Sequence, residues 1–388
     1  MDRRVYMLML IAFVVGMSEL IVGGILDLIA TDLHITISTA GLLITVFAFV
    51  FAISSPILLV TFARVERKKL IMLSLVVFFI GIMLAVVSTN FTMLLLSRIL
   101  SAASGSVATV LSINLASRVV EPAYRGRAIG LVVMGISGSL VLGLPIGVFL
   151  GNFINWRAPF ILTAFLTLLL FVGVHFTLQQ VKPTQVVTLR EQLATLKDHR
   201  VFLAHATTFF FLAGHFTFYG YLTPYVKETM NFDGLTISIL YLCYGIAAVS
   251  GGGLAGVFAD RFGNRKTLLS AIAILALSLF IMPFTTNLLI LFWPILILWG
   301  IVSWGITPPI QSHLFQVAPE TSDIQQSLNN AALQLGIAFG TLVGSFIIDY
   351  RSIAVTPHVG IGFVALSFIA AMITMRNRER GVREKGSI

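Results

Sequence analysis

Four ionisable side chains sit in stretches that are otherwise almost wholly apolar. Glu19 lies between Phe13-Val14-Val15 and Leu20-Ile21-Val22, and Asp27 lies in Ile25-Leu26-Asp27-Leu28-Ile29. Arg98 follows Leu94-Leu95-Leu96-Ser97, and His215 is set among Phe209 to Phe218. A charge in such surroundings is costly unless it is paired, hydrated or neutralised. The chemistry this permits is reversible proton binding: desolvation favours the neutral carboxylic acid and a nearby cation favours the carboxylate. A structural carboxylate locked to one partner is the plainer reading of Glu19, and a helix-packing role the plainer reading of Arg98. Imidazole can titrate near neutrality or hydrogen-bond a heterocycle, and His215 could equally be a neutral ring bonded across helices. Asp27, close to the end of its run, reads as an end-of-helix charge, an outer gate or a second proton site.

The elements that hold these residues follow from composition. The 388 residues are 57% hydrophobic and 11% charged, against about 25% charged in a soluble domain, which excludes a water-soluble enzyme or a disordered chain. A helix needs about 20 apolar residues to cross a bilayer core of about 30 Å. Twelve such runs lie between residues 5 and 375, among them 5–29, 92–117, 127–151, 201–226, 288–312 and 324–348. Their length and lack of period-two alternation exclude a barrel. Glu19 falls 14 residues into the first run, about 21 Å from Val5 at 1.5 Å per residue. Arg98 lies at a depth bracketed by Glu19 and Asp27, so a pair with one or both is expected.

Of the 25 Lys and Arg, all fall on one side of the predicted spans except Arg98 and three others, Arg157, Lys227 and Arg351. Positive charge stays cytoplasmic, which places both termini and the 179–200 segment on the cytoplasmic side of a bacterial inner membrane. The net charge of +9 is thus a topology signal and predicts no nucleic-acid partner. The lone Cys243 forbids an intrachain disulfide, the histidines show no metal spacing, and no phosphate-binding glycine loop appears. No catalytic residues and no cofactor are expected, with protons as coupling ion.

A shift of 197 superposes the two halves: Arg64 on Arg261, Lys69 on Lys266, Asn90 on Asn287, Pro122 on Pro319, Gly143 on Gly340 and Gly147 on Gly344. The fold class is therefore all-α integral membrane, twelve helices in two pseudo-symmetric six-helix bundles. The expected division is 1–178, a connecting loop 179–200, 201–376 and a basic tail 377–388, working as a monomer with a small-molecule substrate and the lipid bilayer as partners. Repeat-built bundles of this kind expose a midplane site to each side in turn. A site for planar rings needs stacking faces and a few polar groups. Glu19, His215, Tyr219, Tyr221, Tyr241, Tyr244, Trp299 and Trp304 are candidates, with Gln311, Asn329, Asn330 and Gln334 supplying amides. Asn330 and Gln334, four apart, are expected on one helix face.

The loop Asp260-Arg261-Phe262-Gly263-Asn264-Arg265-Lys266 resembles the D-R-x-G-R-[RK] signature of the major facilitator superfamily. Its first-half copy, Ala63-Arg64-Val65-Glu66-Arg67-Lys68-Lys69, has Ala63 for the Asp and Glu66 for the Gly. Arg98 resembles the family's membrane arginine. Gly138, Gly143, Pro145, Gly147 and Gly151 in span five resemble the glycine-proline signature of proton-coupled exporters, with Val148 replacing its last Gly. The resemblance covers essentially the whole chain and implies a major facilitator fold, two loops that gate, and a span-five seal. Glu19 to Leu26, Leu212 to Thr217 and Ser322 to Ser327 look similar to purine base and nucleoside efflux pumps of the drug:proton antiporter-1 group. Such relatives carry proline where this chain has Asp27, as Pro224 does in the second half. The function implied is proton-coupled efflux of small, partly aromatic solutes, purines or nucleosides first. The alternatives are a multidrug or sugar exporter and, in another class, a non-transporting receptor or scaffold.

Overall fold

The computed structural model describes residues 2–183 and 188–385. Residues 184–187 of the connecting segment and 386–388 of the basic tail lie outside the described residues. The described chain is helical, with no strand among the described residues. Among the described residues, twelve spans are long and apolar enough to cross a membrane. They are Arg3–Gly24, Ile37–Thr61, Arg67–Val86, Phe91–Ala116, Pro122–Phe153, Ala158–Thr177, His199–Met230, Gly234–Phe262, Asn264–Thr285, Leu289–Val317, Ile324–Tyr350 and Ile353–Met375. The all-α, twelve-span expectation holds.

Helix starts are set by side chains that take up free backbone N–H groups. Asp2, Thr36, Glu66, Asn90 and Asp198 each accept from the first turn of the helix they precede. Inside the spans, Ser101, Ser112, Thr163 and Thr167 donate to carbonyls four residues back, which lets hydroxyls stay in an apolar setting at little cost. Large apolar side chains such as Phe149, Phe165, Leu168 and Ile290 are exposed, as a lipid-facing surface requires.

The chain forms two compact units. One comprises Met1–Val187 with Leu222–Gly245; the other comprises Thr188–Tyr221 with Ile246–Ile388. Sequence order alone assigns 222–245 to the second half, yet this segment clusters with the first.

In the first unit, spans one and five pack along a four-residue ladder. A methyl group built at Gly143 would lie 3.0 Å from Met17, at Gly147 2.6 Å from Ile21, and at Gly151 2.6 Å from Ile25. Gly138 faces Phe13 in the same series. The missing side chains let the two backbones approach closely, as small residues do between membrane helices. Ser139–Gly143 forms a π turn just ahead of Pro145. Proline has no N–H for the carbonyl four residues back, and the turn widens there. In the second unit, spans seven and eleven repeat the ladder. Methyls at Gly336 and Gly344 would lie 2.5 Å from the Phe209 carbonyl oxygen and the Tyr221 ring.

Span one ends at Gly24, Ile25 leaves helical geometry, and a short helix Leu26–Asp32 follows. Span seven breaks likewise between Tyr219 and Leu222. Under the 197 shift the two breaks fall within two residues of each other. The expected continuous run 5–29 is thus interrupted, and Asp27 sits beyond the interruption.

Candidate transport site

Glu19 lies half-buried on span one. Arg98, on span four, is wholly buried, and the Glu19 charge acts on it. Its Nη1 donates to the Ser18 carbonyl at 3.0 Å, which pins the guanidinium beside the backbone that carries Glu19. Its guanidinium carbon stands 4.0 Å from the Phe47 ring centroid, a cation–π contact worth about 0.5–2 kcal/mol. Arg98 Nε and Nη2 make no hydrogen bond among the described residues. The guanidinium is therefore held by one carbonyl, one ring face and one carboxylate charge. This cation stays charged, so its neighbour's protonation changes the net charge of the pair.

The expected alternative, Arg98 with Asp27, does not form. Asp27 Oδ2 instead takes Lys227 Nζ at 2.5 Å. The helix break after Gly24 turns Asp27 away from the span-four arginine and toward the 222–245 segment. With its side chain 17% exposed, Asp27 is a shielded ion-pair partner and not a solvated helix-end charge.

In the second unit His215 is buried. Its Nδ1 accepts from Trp299 Nε1 at 3.1 Å. Indole N–H is a donor only, so Nδ1 must be unprotonated and the ring neutral in this arrangement. Tyr219 stacks on the imidazole, with centroids 5.0 Å apart and planes 22° apart. Phe218 packs on Trp299 with centroids 5.1 Å apart. The expectation that His215 titrates meets a fixed geometry in which it serves as acceptor.

The other candidates separate. Tyr221 and Tyr241 are buried and bonded, to the Thr341 carbonyl and to Thr223 respectively. Tyr244 is buried in the first unit. Trp304 and Gln311 are half-buried and Gln334 is buried. Asn330 is exposed, so it does not share a buried face with Gln334. The buried amides of span eleven are Gln325, which bonds His205 at 2.9 Å, and Asn329, which accepts from Thr208 at 2.7 Å. A one-residue difference decides this, because each helical step turns a side chain by about 100°. Sequence reasoning missed Lys227 as the partner of Asp27. Its rarity as a basic residue on that side was the available signal. It named Trp299 only as a stacking face, since nothing in the spacing ties residues 84 apart.

The chain matches the profile of the Major Facilitator Superfamily over residues 8–341. It is 33% identical to the uncharacterized MFS-type transporter YbcL of Bacillus subtilis (strain 168), over 97% of both chains. The chain belongs to the major facilitator superfamily. It is also 27% identical to a probable sugar efflux transporter of Helicobacter acinonychis (strain Sheeba), over 94% of this chain and 93% of that one. Among solved structures it resembles a bacterial homolog of the human lysosomal transporter Spinster, crystallised in an inward-facing and occupied conformation. The TM-score is 0.78 at 14% identity, over 96% of each chain, which shows a shared fold. The protein is thus a multi-pass membrane transporter and not an enzyme.

Within this major facilitator chain the two signature loops are built differently. Gly263 adopts φ +86° ahead of span nine, a conformation that favours glycine. Its counterpart Glu66 has ordinary φ and caps span three with its own carboxylate, accepting from Lys68 N and Lys69 N. The same carboxylate accepts from Val181 N at 2.8 Å, while Arg67 N donates to the Val181 carbonyl. Burial pushes the Glu66 carboxyl up, but these three backbone donors outweigh it and hold the group below its ordinary value. The departure from glycine therefore fastens the loop to the connecting segment. Arg64, Asp260, Arg261 and Lys266 are exposed, Arg265 is half-buried and Arg67 is buried.

Proposed function

We propose that this transporter is a proton-coupled exporter of small, partly aromatic solutes, working by alternating access. Purine bases or nucleosides are the first substrate class. The observation that carries the reading is a carboxylate, Glu19, deep in span one, whose charge reaches a fully buried arginine, Arg98, that is bonded to the neighbouring Ser18 carbonyl. A proton arriving on Glu19 would cancel its attraction for Arg98 and leave an uncompensated buried cation. That penalty gives the protonated and deprotonated protein different preferred conformations, which is what coupling requires. The glycine ladder of span five supports the reading, because it sets the span that carries Glu19 against a close-packed, leak-resistant neighbour. The His215–Tyr219–Trp299 cluster supplies ring faces suited to planar solutes. The asymmetry of basic loops supports a bacterial inner-membrane setting with both termini cytoplasmic. The chain is taken to work as a monomer without other cofactors.

A second reading has its own support: relatives such as the Helicobacter acinonychis protein are named probable sugar efflux transporters. Purified protein in proteoliposomes with an imposed pH gradient separates the two. Adenine, hypoxanthine, guanine, nucleosides, arabinose-type sugars and cationic dyes would each be tested for substrate-driven proton movement. Proton flux with purines is the expected result. Flux with sugars alone would move the assignment to the second reading, and solute movement indifferent to the gradient would remove proton coupling.

A further inference from the structure

The segment Leu222–Gly245 is fastened to the first-half helices by a compact set of polar contacts, all within the first unit. Lys227 Nζ donates to Asp27 Oδ2 at 2.5 Å and reaches Asn152 Oδ1 at 3.5 Å. Asn152 Nδ2 donates to the Val148 carbonyl of its own helix at 2.9 Å, and this orients its oxygen toward Lys227. Four residues before Lys227, Thr223 Oγ1 donates at 3.1 Å to the carbonyl of Gly24, which lies three residues before Asp27. Its single proton is then used, so Tyr241 OH donates to Thr223 at 2.9 Å. Gly24 is where span one stops, and Ile25 interrupts the helical geometry there, so the bond falls at the break itself. Two close approaches complete the seam. A methyl at Gly234 would lie 2.5 Å from Asn152, and one at Gly245 would lie 2.7 Å from the Leu140 carbonyl oxygen. Residues 234, 238, 241 and 245 follow a helical repeat and share one face.

The geometry points to a charge-specific latch: Asp27, Lys227 and Asn152 hold the 222–245 segment on the first-half helices, and its release is a step of the transport cycle. The ionic contact is the part that must be made and broken. The glycine contacts only define where the surfaces meet. Charge-assisted hydrogen bonds are strong when shielded, and both side chains here are largely covered. The inference rests on the transporter reading only in calling the release a step of that cycle. The contact itself can be tested without any substrate or proton gradient.

Ser238 is buried on the seam-facing side of span eight, and a cysteine there reports whether the seam is open. The full chain carrying Ser238→Cys on a Cys243→Ser background would be placed in nanodiscs and labelled with a hydrophilic maleimide. Asp27→Asn and Lys227→Gln should each raise the labelling rate about tenfold, as loss of a hydrogen bond to a charged group implies. The double neutral variant should label no faster than either single one, because both remove the same contact. The exchange Asp27→Lys with Lys227→Asp should return the rate to within about twofold of the parent, since a re-formed ion pair recovers most of the coupling. Unchanged rates in the single variants would overturn the latch. So would effects that multiply in the double variant, a readout that decides the matter even if the exchanged protein does not fold. Failure of proton-coupled export in the proteoliposome assay would leave this labelling pattern intact, which keeps the two inferences separable.

Discussion

Spans one and seven occupy equivalent places in the repeat, and both break within two residues of the same point, yet they treat their ionisable residue oppositely. Span one keeps Glu19 half-buried beside the charge of Arg98. Span seven, one residue off the equivalent place, buries His215 under Tyr219 and gives its Nδ1 a fixed donor in Trp299. A carboxylate facing a permanent cation changes its interaction energy whenever it gains a proton. An imidazole already committed as an acceptor must first lose a hydrogen bond. Neighbouring positions of the repeat thus carry a carboxylate near a buried cation in one half and a rigid ring cluster in the other.

The largest expected effect follows from that contrast. Glu19→Gln should lower proton-driven transport by about tenfold or more, because the variant can no longer favour one conformation by releasing a proton. His215→Asn should weaken solute binding while retaining the response to the pH gradient. The measurement is the ratio of transport with and without the gradient in proteoliposomes. A Glu19→Gln protein with a wild-type ratio would erase the contrast.

Next come the glycine ladders. Gly147→Leu drives a side chain into Ile21, and Gly344→Leu drives one into Tyr221. Overpacking of this kind costs about 1–3 kcal/mol, and both variants should lose thermal stability in detergent. Only Gly147→Leu, which displaces the span that carries Glu19, should also change the pH dependence of transport. Equal shifts from both would show that the ladders are mere packing.

A smaller effect is expected at the aromatic cluster. Trp299→Phe keeps a ring but leaves His215 Nδ1 without its donor, at a cost of about 1–3 kcal/mol. Nitrogen chemical shifts of labelled His215 should show one neutral tautomer in the parent protein and a mixture in the variant. A mixture already present in the parent would contradict the acceptor assignment.

The smallest effects concern the two signature loops. Glu66→Ala removes a cap and the tie to Val181, for about 0.5–2 kcal/mol. Gly263→Ala has open space around its methyl but an unfavourable φ, for about 1 kcal/mol. The loops also differ in pH response. The Glu66 carboxyl is held below its ordinary 4.5, so its stabilisation is full above that value and fades as pH falls through the folded-state pKa. Acid melting curves of wild type and Glu66→Ala should therefore begin to approach one another below pH 4.5 and meet below the folded-state pKa, whereas the Gly263→Ala difference should persist.

Much of this was legible before any coordinates. Long apolar runs dictate helices because a bilayer offers the backbone no hydrogen-bond partners, so the number and order of spans follow from composition. The 197-residue shift exposed the repeat, and glycines four apart marked the close-packed faces. Isolated charges in those runs, Glu19 and Arg98 above all, announced themselves by their cost. Partners were another matter. Asp27 was read with Arg98 because depth along a helix is countable, but the break after Gly24 redirected it to Lys227, two hundred residues away. Asn329 rather than Asn330 faces inward, and the shift in angle that separates them is below what an apolar pattern resolves. Trp299 meets His215, and Glu66 meets Val181, only once helices distant in sequence are packed. Local hydrophobicity and periodicity are properties of consecutive residues, so the chain alone determined its spans. Which charge, ring or amide meets which depends on helix rotation, breaks and crossing, and these arise only when the helices of each unit pack against one another.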